Sequence, residues 1–580
     1  MKQLTGKPWR WLSVAILIGL FISNGNGNAL AQDSEKDEDD EKFSIVKNLD
    51  IFYSLFRELN TYYVDETDPE KLVETSIESM LESLDPYTDY IPESEMDDFN
   101  FMTTGNYAGI GALITRKGDH VYVSEPYKGF PADEAGIKAG DKILAVDGKE
   151  MKGKPTDQVS NHLKGPAKSE VTVTVERYGE ENPMDIEIVR RNIQINPVSY
   201  HGMVDDETGL IILNNFTRDC TREVEKALEE LKEKEGAEKV ILDLRGNPGG
   251  LMEEAVNLAN LFLPKGSEVV STKGKIERWD KDYRAPRAPV DTVIPLTVLI
   301  DRRSASASEI VAGAIQDHDR GVIVGNRSFG KGLVQTTRNL PYNTKLKVTT
   351  AKYYIPSGRC IQAHDYSELN EDGSLSYVPD SLISKHETAN GRTVYDGGGI
   401  SPDVIVDNDR YSNVIYALMS QQTIFGYANR FQAEHDSLPE PSEFSVTDEI
   451  YEDFVSYVES LDDFRYTSES KERYKKLEEA AREEGYYEVN NDIFKEMREK
   501  LDVDVSHDLQ TFRDEVERLL ADELLKRYYY RTGAIKHSLD KDKDLNEAIE
   551  VLNDEDRYKG ILDGSVPSHA GDRRKIKRDN

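Results

Sequence analysis

Two cysteines, three tryptophans and ten histidines in 580 residues remove several kinds of chemistry at the outset. Cys220 and Cys360 alone give neither a disulfide scaffold nor a thiolate metal cluster, although the two thiols could pair in an oxidising compartment. The histidines show no HExxH or related metal spacing, and no Gly-x-Ser-x-Gly elbow occurs. Zinc hydrolysis and histidine-based serine triads therefore lose their usual sequence support, and no metal or organic cofactor is expected. Basic residues number 73 against 109 acidic ones, and the net charge of −36 repels a phosphate backbone, which argues against nucleic acid as a partner.

Long apolar runs are also scarce. One lies at Trp11–Ile22, and its 12 residues fall short of the roughly 20 that span a bilayer. Lys2, Lys7 and Arg10 precede it and Ala29-Leu30-Ala31 follows, which predicts a signal peptide over 1–31 and export, with the periplasm as destination. Retention by an uncleaved N-terminus is the alternative. Residues 32–42, acidic and without apolar periodicity, read as a solvated tether.

What is present arranges itself in blocks. Over 43–102 the residues Ile45, Leu49, Phe52, Phe56, Leu59 and Tyr63 recur at helical spacing, and a second helix is predicted between Pro69 and Leu84. Over 103–190 the chain is strand-rich, with Gly109-Ile110-Gly111, an Asp147-Gly148 turn, a short helix at Thr156–Leu163 and alternating Val171, Val173 and Val175. Over 191–410 apolar strands (KVILDLRGN, PLTVLID, GVIVGN) alternate with helical segments (EEAVNLANLF, SEIVAGAIQDH), which predicts α/β units. Over 411–580 the chain is charged and helical, and association of copies through the helical regions is left open. The fold class expected is multidomain α+β: N-terminal helices, a β-rich domain, an α/β core and a C-terminal helical region.

The 103–190 block resembles a PDZ domain. In PDZ domains a glycine loop offers N–H groups to a peptide's terminal carboxylate while the peptide adds as a strand. Here Gly109, Ile110 and Gly111 would supply them, although such glycines also serve plain tight turns.

Ser304, Ser306 and Ser308 fall between an apolar strand and a helix. Ser306 with Glu309 three residues on fits a capping box. A serine hydroxyl is a weak nucleophile without a base, and Lys331, flanked by Gly330 and Gly332, could serve if burial lowered its pKa. Surface exposure is the ordinary state of a lysine. Ser328-Phe329-Gly330-Lys331 spells a local Ser-x-x-Lys rival, but it follows a strand, precedes glycine and has no accompanying Lys-Thr-Gly.

The ordered motifs GIGA, DLRGNPGG, SASASEI, FGKGLVQ, KYYIPSGRCIQ and GGGISPD, spanning roughly residues 43–410, resemble those of the carboxyl-terminal processing peptidases. The resemblance implies an α/β serine-peptidase core over 191–410 with Ser306 as nucleophile and Lys331, 25 residues on, as general base. It further implies that Gln335 orients the lysine, that Asp317 belongs to a relay, and that the backbone N–H groups of Gly250 and Ala307 hold the oxyanion. Protein or peptide substrates with a free, apolar C-terminus are the partners it implies. A catalytically silent PDZ scaffold that binds protein C-termini is the rival function.

Overall fold

The computed structural model describes residues 29–369, 375–407 and 411–571; the signal-peptide expectation therefore lies, up to residue 28, outside the described residues. The chain divides into two units at Met80/Leu81.

The first unit holds helix Ala29–Tyr62 and most of helix Pro69–Glu82. Residues 32–42, expected as a tether, are helical, because missing apolar periodicity removes a reason to pack but not the helix propensity of Glu, Lys and Ala. Of the predicted apolar stripe, Ile45, Leu49, Phe52 and Leu59 lie exposed on this helix, Leu49 at 63%, while Phe56 is half-buried and Tyr63 follows the helix end.

In the second unit the PDZ-like block is a six-stranded antiparallel sheet. Its edge strand is Ala112–Lys117, which pairs with His120–Pro126. Helix Thr156–Leu163 forms where the sequence predicts it, burying Val159 and Leu163, and the alternating valines are inward on strand Glu170–Glu176. Residues from the C-terminal region meet this block. The Gln422 side chain donates to Arg116 C=O at 3.2 Å, and Tyr530 Oη donates to Asp133 at 2.7 Å.

The 191–410 block is built on a six-stranded sheet in the order Val198–Met203, Thr208–Leu213, Lys239–Asp243, Leu296–Ile300, Val322–Gly325, Val404–Ile405, parallel after the first pair. Central strands of a parallel sheet are buried on both faces, which is why their sequence is continuously apolar rather than alternating. Val240, Leu242 and Val298 pack on one face with helices Cys220–Glu230, Met252–Phe262 and Ala307–Asp317. Ile241, Leu299 and Val324 pack on the other with Leu545, Ala548 and Val551 of helix Lys543–Asn553.

The described part of 411–580 is helical, as expected: residues between Val414 and Ala534 enclose a core of their own, and 543–566 packs on the back of the α/β sheet. A five-stranded sheet adjoins this core, in which hairpin Leu333–Asn339/Lys345–Tyr354 pairs with Asp89–Ile91 and Glu268–Gly274. Among the described residues no helix is long and apolar enough to cross a membrane.

Candidate active site

The loops after three adjacent parallel strands, 244–251, 301–306 and 326–332, leave the carboxyl ends of the sheet together. This is where open α/β sheets form their clefts, and it collects DLRGNPGG, SASASEI and FGKGLVQ in one place.

The serines separate by burial. Ser304, Ser308 and Ser328 are fully buried, whereas Ser306 is not. Ser304 Oγ donates to Leu244 C=O at 2.8 Å and Ser308 Oγ to Asn247 C=O at 2.9 Å. Ser328 Oγ donates to Glu309 at 2.5 Å and accepts from Ile400 N–H at 2.6 Å, so the hydroxyl of the Ser-x-x-Lys rival is part of the scaffold.

Ser306 takes φ 55°, ψ −111°, a conformation that costs a non-glycine residue on the order of 1–3 kcal/mol and persists only where the surroundings enforce it. Here the enforcement is identifiable. Buried Asn247 accepts Ala305 N–H on its carbonyl at 3.0 Å and Gly249 N–H on its side chain at 2.9 Å. A Cβ on Gly249 would lie 2.8 Å from Ser306 Cβ and 2.9 Å from Ala307 N, so only glycine fits. Among the described residues the N–H groups of Gly250 and Ala307 have no hydrogen-bond acceptor. Ala307 is the first residue of its helix, whose positive dipole end favours negative charge there.

Ser306 and Lys331 are brought together through their backbones. The Glu309 carboxylate accepts Ser306 N–H at 2.8 Å, Lys331 N–H at 2.9 Å and Gly330 N–H at 2.7 Å. Tyr353 Oη lies 3.2 Å from Ser306 C=O and also donates to Lys331 C=O. Glu309 and Tyr353 are both buried. Burial lifts the Glu309 carboxyl to about 7, against the pull of its four donors.

The Lys331 side chain is partly buried, and desolvation, with the neighbouring Lys347 charge second, lowers it to about 8 while Glu309 and Asp85 pull the other way. Its Nζ rests 4.0 Å from the centroid of the Tyr87 ring. Gln335 lies on strand Leu333–Asn339, where its Nε2 donates to Thr349 at 3.2 Å.

The expected relay acid is corrected. Asp317 ends the helix that Ser306 begins, about 16 Å away by helix rise, and it forms a buried 2.8 Å ion pair with Arg359. Its second oxygen accepts Ser357 N–H at 2.9 Å. The structure does not bring it to the Ser306–Lys331 pair.

Ile110 is buried and its carbonyl accepts Ala132 N–H at 2.8 Å. Burial pushes the Tyr107 hydroxyl up to about 12, an effect that the neighbouring Gly111 and Ala112 N–H groups oppose, and Gly109 pairs with Arg191 on a two-stranded ribbon. Cys220 and Cys360 are both free thiols. Sequence reasoning missed Asn247, Tyr353, Tyr87 and Tyr107. Asn247 and Tyr353 lie inside motifs already singled out, but nothing in the linear pattern marks either as a brace.

Comparison with known proteins places this geometry. Residues 207–372 match peptidase family S41, 122–177 match a PDZ domain, and 414–552 match a C-terminal helical domain of probable PDZ-proteases. A carboxy-terminal-processing protease of Bartonella bacilliformis is 39% identical over 319 residues, 54% of this chain and 73% of that protein. A probable CtpA-like serine protease of Staphylococcus aureus is 33% identical over 418 residues, 70% of this chain and 74% of that one. A solved structure titled photosystem II D1 C-terminal processing protease is 30% identical, with 61% of this chain and 92% of that one covered at a TM-score of 0.33. Fold and matches define a serine-type peptidase that carries a PDZ domain. More particularly, the chain belongs to the carboxy-terminal-processing proteases of peptidase family S41.

Proposed function

We propose that this peptidase is exported and cleaves polypeptides near their C-terminus with Ser306 as nucleophile and Lys331 as general base. The observation that carries the assignment is the shared brace: Glu309 accepts both N–H groups, and Tyr353 lies within hydrogen-bond distance of both carbonyls, of the same two residues.

The substrate tail, apolar at its end, binds at the loop Gly109–Gly111 and lies along the free edge of Ala112–Lys117, as peptides add to PDZ sheets. Neutral Lys331 takes the Ser306 proton as Oγ attacks the scissile carbonyl, and the Gly250 and Ala307 N–H groups receive the oxyanion. The lysine ammonium then protonates the departing amine. The neutral lysine next takes a proton from the water that hydrolyses the acyl-enzyme. Gln335, four residues after Lys331, orients the amine when substrate is bound. Export rests on the basic start, the apolar run at Trp11–Ile22 and Ala29-Leu30-Ala31.

The test is hydrolysis of a denatured protein with an apolar tail. Ser306→Ala and Lys331→Ala are expected to be inactive. Activity in Ser306→Ala would remove the assignment, and loss confined to Ser328→Ala would favour the rival pair. A protein that binds C-terminal peptides but cleaves none in any form would be a scaffold. Because the base must be neutral, kcat/KM should fall as pH drops through about 8.

A further inference from the structure

The Lys331 ammonium is seated on an aromatic face rather than on Ser306. Its Nζ lies 4.0 Å from the Tyr87 ring centroid, well inside the range at which a ring quadrupole attracts a cation. The ring is firmly placed. Asp85 Oδ1 accepts the N–H groups of Tyr87 and Thr88, both at 2.8 Å, and its other oxygen accepts Thr88 Oγ1 at 2.9 Å. Thr88 Oγ1 in turn accepts Thr349 N–H at 3.2 Å. The next residues, Asp89–Ile91, pair with strand Lys345–Tyr354, and that strand carries Tyr353 and the hairpin partner of the segment after Lys331. The far end of the ring is fixed as well, with Tyr87 Oη 3.0 Å from Tyr366 Oη. Ring and lysine therefore belong to one stitched sheet.

The quadrupole attracts an ammonium and not a neutral amine. We infer that Tyr87 is the positioning residue of the general base: its ring face holds Lys331 when the lysine is protonated and releases it toward Ser306 Oγ when it is neutral. The inference rests on Lys331 being the base. It gives the proton taken from Ser306 a defined place to wait, on a lysine parked over the ring, until the leaving amine collects it. The other charged or titratable groups facing the lysine are Glu309 from the Ser306 helix, Asp85 beside Tyr87 and Lys347 from strand Lys345–Tyr354, with Tyr353 donating to its carbonyl. None of these is altered by changing the electronics of the ring.

The test is the pH profile of kcat/KM for the full chain carrying Tyr87→Phe, Tyr87→Leu, or pentafluorophenylalanine at position 87, a ring of nearly the same shape with its quadrupole reversed. Tyr87→Phe should keep the acid limb of the profile in place. The fluorinated ring and Tyr87→Leu destabilise the ammonium, so the limb should move to lower pH by about half a unit to one unit, with a several-fold lower kcat on the alkaline plateau. A ring that merely supports the fold would lower the plateau and leave the limb where it was. An NMR titration of lysine Cε resonances in Ser306→Ala protein reads the same shift without turnover. Should the limb and the titration stay fixed in both altered rings while Lys331→Ala is inactive, the role of Tyr87 is overturned and the base stands. Should Lys331→Ala retain activity, the base assignment itself falls.

Discussion

Two glycine-bearing turns in this molecule present backbone N–H groups to an oxygen, and they are held in different ways. Around Ser306 the turn is braced from within the core by Asn247, Glu309 and Tyr353, all buried, leaving the Gly250 and Ala307 N–H groups open. At Gly109–Gly111 the N–H groups of Gly111 and Ala112 neighbour the Tyr107 hydroxyl of the same chain and favour its charged form. An oxyanion site gains from donors fixed before the charge develops, because no reorganisation is then needed at the moment of reaction. A peptide-binding loop has to release and recapture ligands, and an internal hydroxyl beside its donors competes with the ligand for them.

The comparison can be broken or sharpened by substitution. Gly249→Ala should have the largest effect: the added carbon meets Ser306 Cβ and Ala307 N at 2.8 and 2.9 Å, and displacing the Ala307 donor should lower kcat on the order of 10³-fold, measured against unchanged peptide binding to the PDZ domain. Asp317→Ala probes the far end of the same helix. It leaves the Arg359 guanidinium buried without its partner and should cost about 3–5 kcal/mol in chemical unfolding. The folded Asp317→Asn protein should keep its kcat, and a loss there comparable to that of Lys331→Ala would restore the relay.

Glu309→Gln is smaller in effect. The amide keeps one acceptor but turns two hydrogens toward N–H and O–H donors, so kcat should fall roughly 10- to 100-fold, a loss of about 1.4–2.7 kcal/mol in the transition state. Tyr107→Phe should have the smallest effect and the opposite sign. Removing the hydroxyl frees the Gly111 and Ala112 donors, and affinity for a C-terminal peptide in a fluorescence titration should rise about fivefold, near 1 kcal/mol. A weaker affinity would mean that Tyr107 supports the loop rather than occupying it.

Much of the fold was legible. The strands PLTVLID and GVIVGN and the helices after NPGG and after SAS appear within a residue or two of where periodicity puts them, because buried parallel strands and amphipathic helices each carry their own spacing signal. The strand expected over KVILDLRGN ends at Asp243, four residues early. The helical character of 505–538 was legible, but not the interruptions at Phe512 and Tyr530. The helix over 32–42 and the separate packing partners of the C-terminal helices were not legible for one reason: local pattern reports propensity and amphipathicity, not which partner covers a face. Helix Lys543–Asn553 looks like its neighbours, and only the apolar back of the peptidase sheet decides that it belongs there.

The sequence by itself determined the inventory: a capping serine, a glycine-flanked lysine, glycines at the turns, and the family order of motifs that links them. It left four serines competing, and a charged lysine on the surface was the ordinary reading. Tertiary structure decided among them, since Ser304, Ser308 and Ser328 give their hydroxyls to the scaffold and Ser306 does not. It kept Glu309 in the capping box with Ser306 and made it a brace shared with Lys331, and it sent Asp317 to Arg359. These are contacts between residues far apart in the chain. Burial, pKa and hydrogen-bond partnership arise only when distant segments displace water from one another.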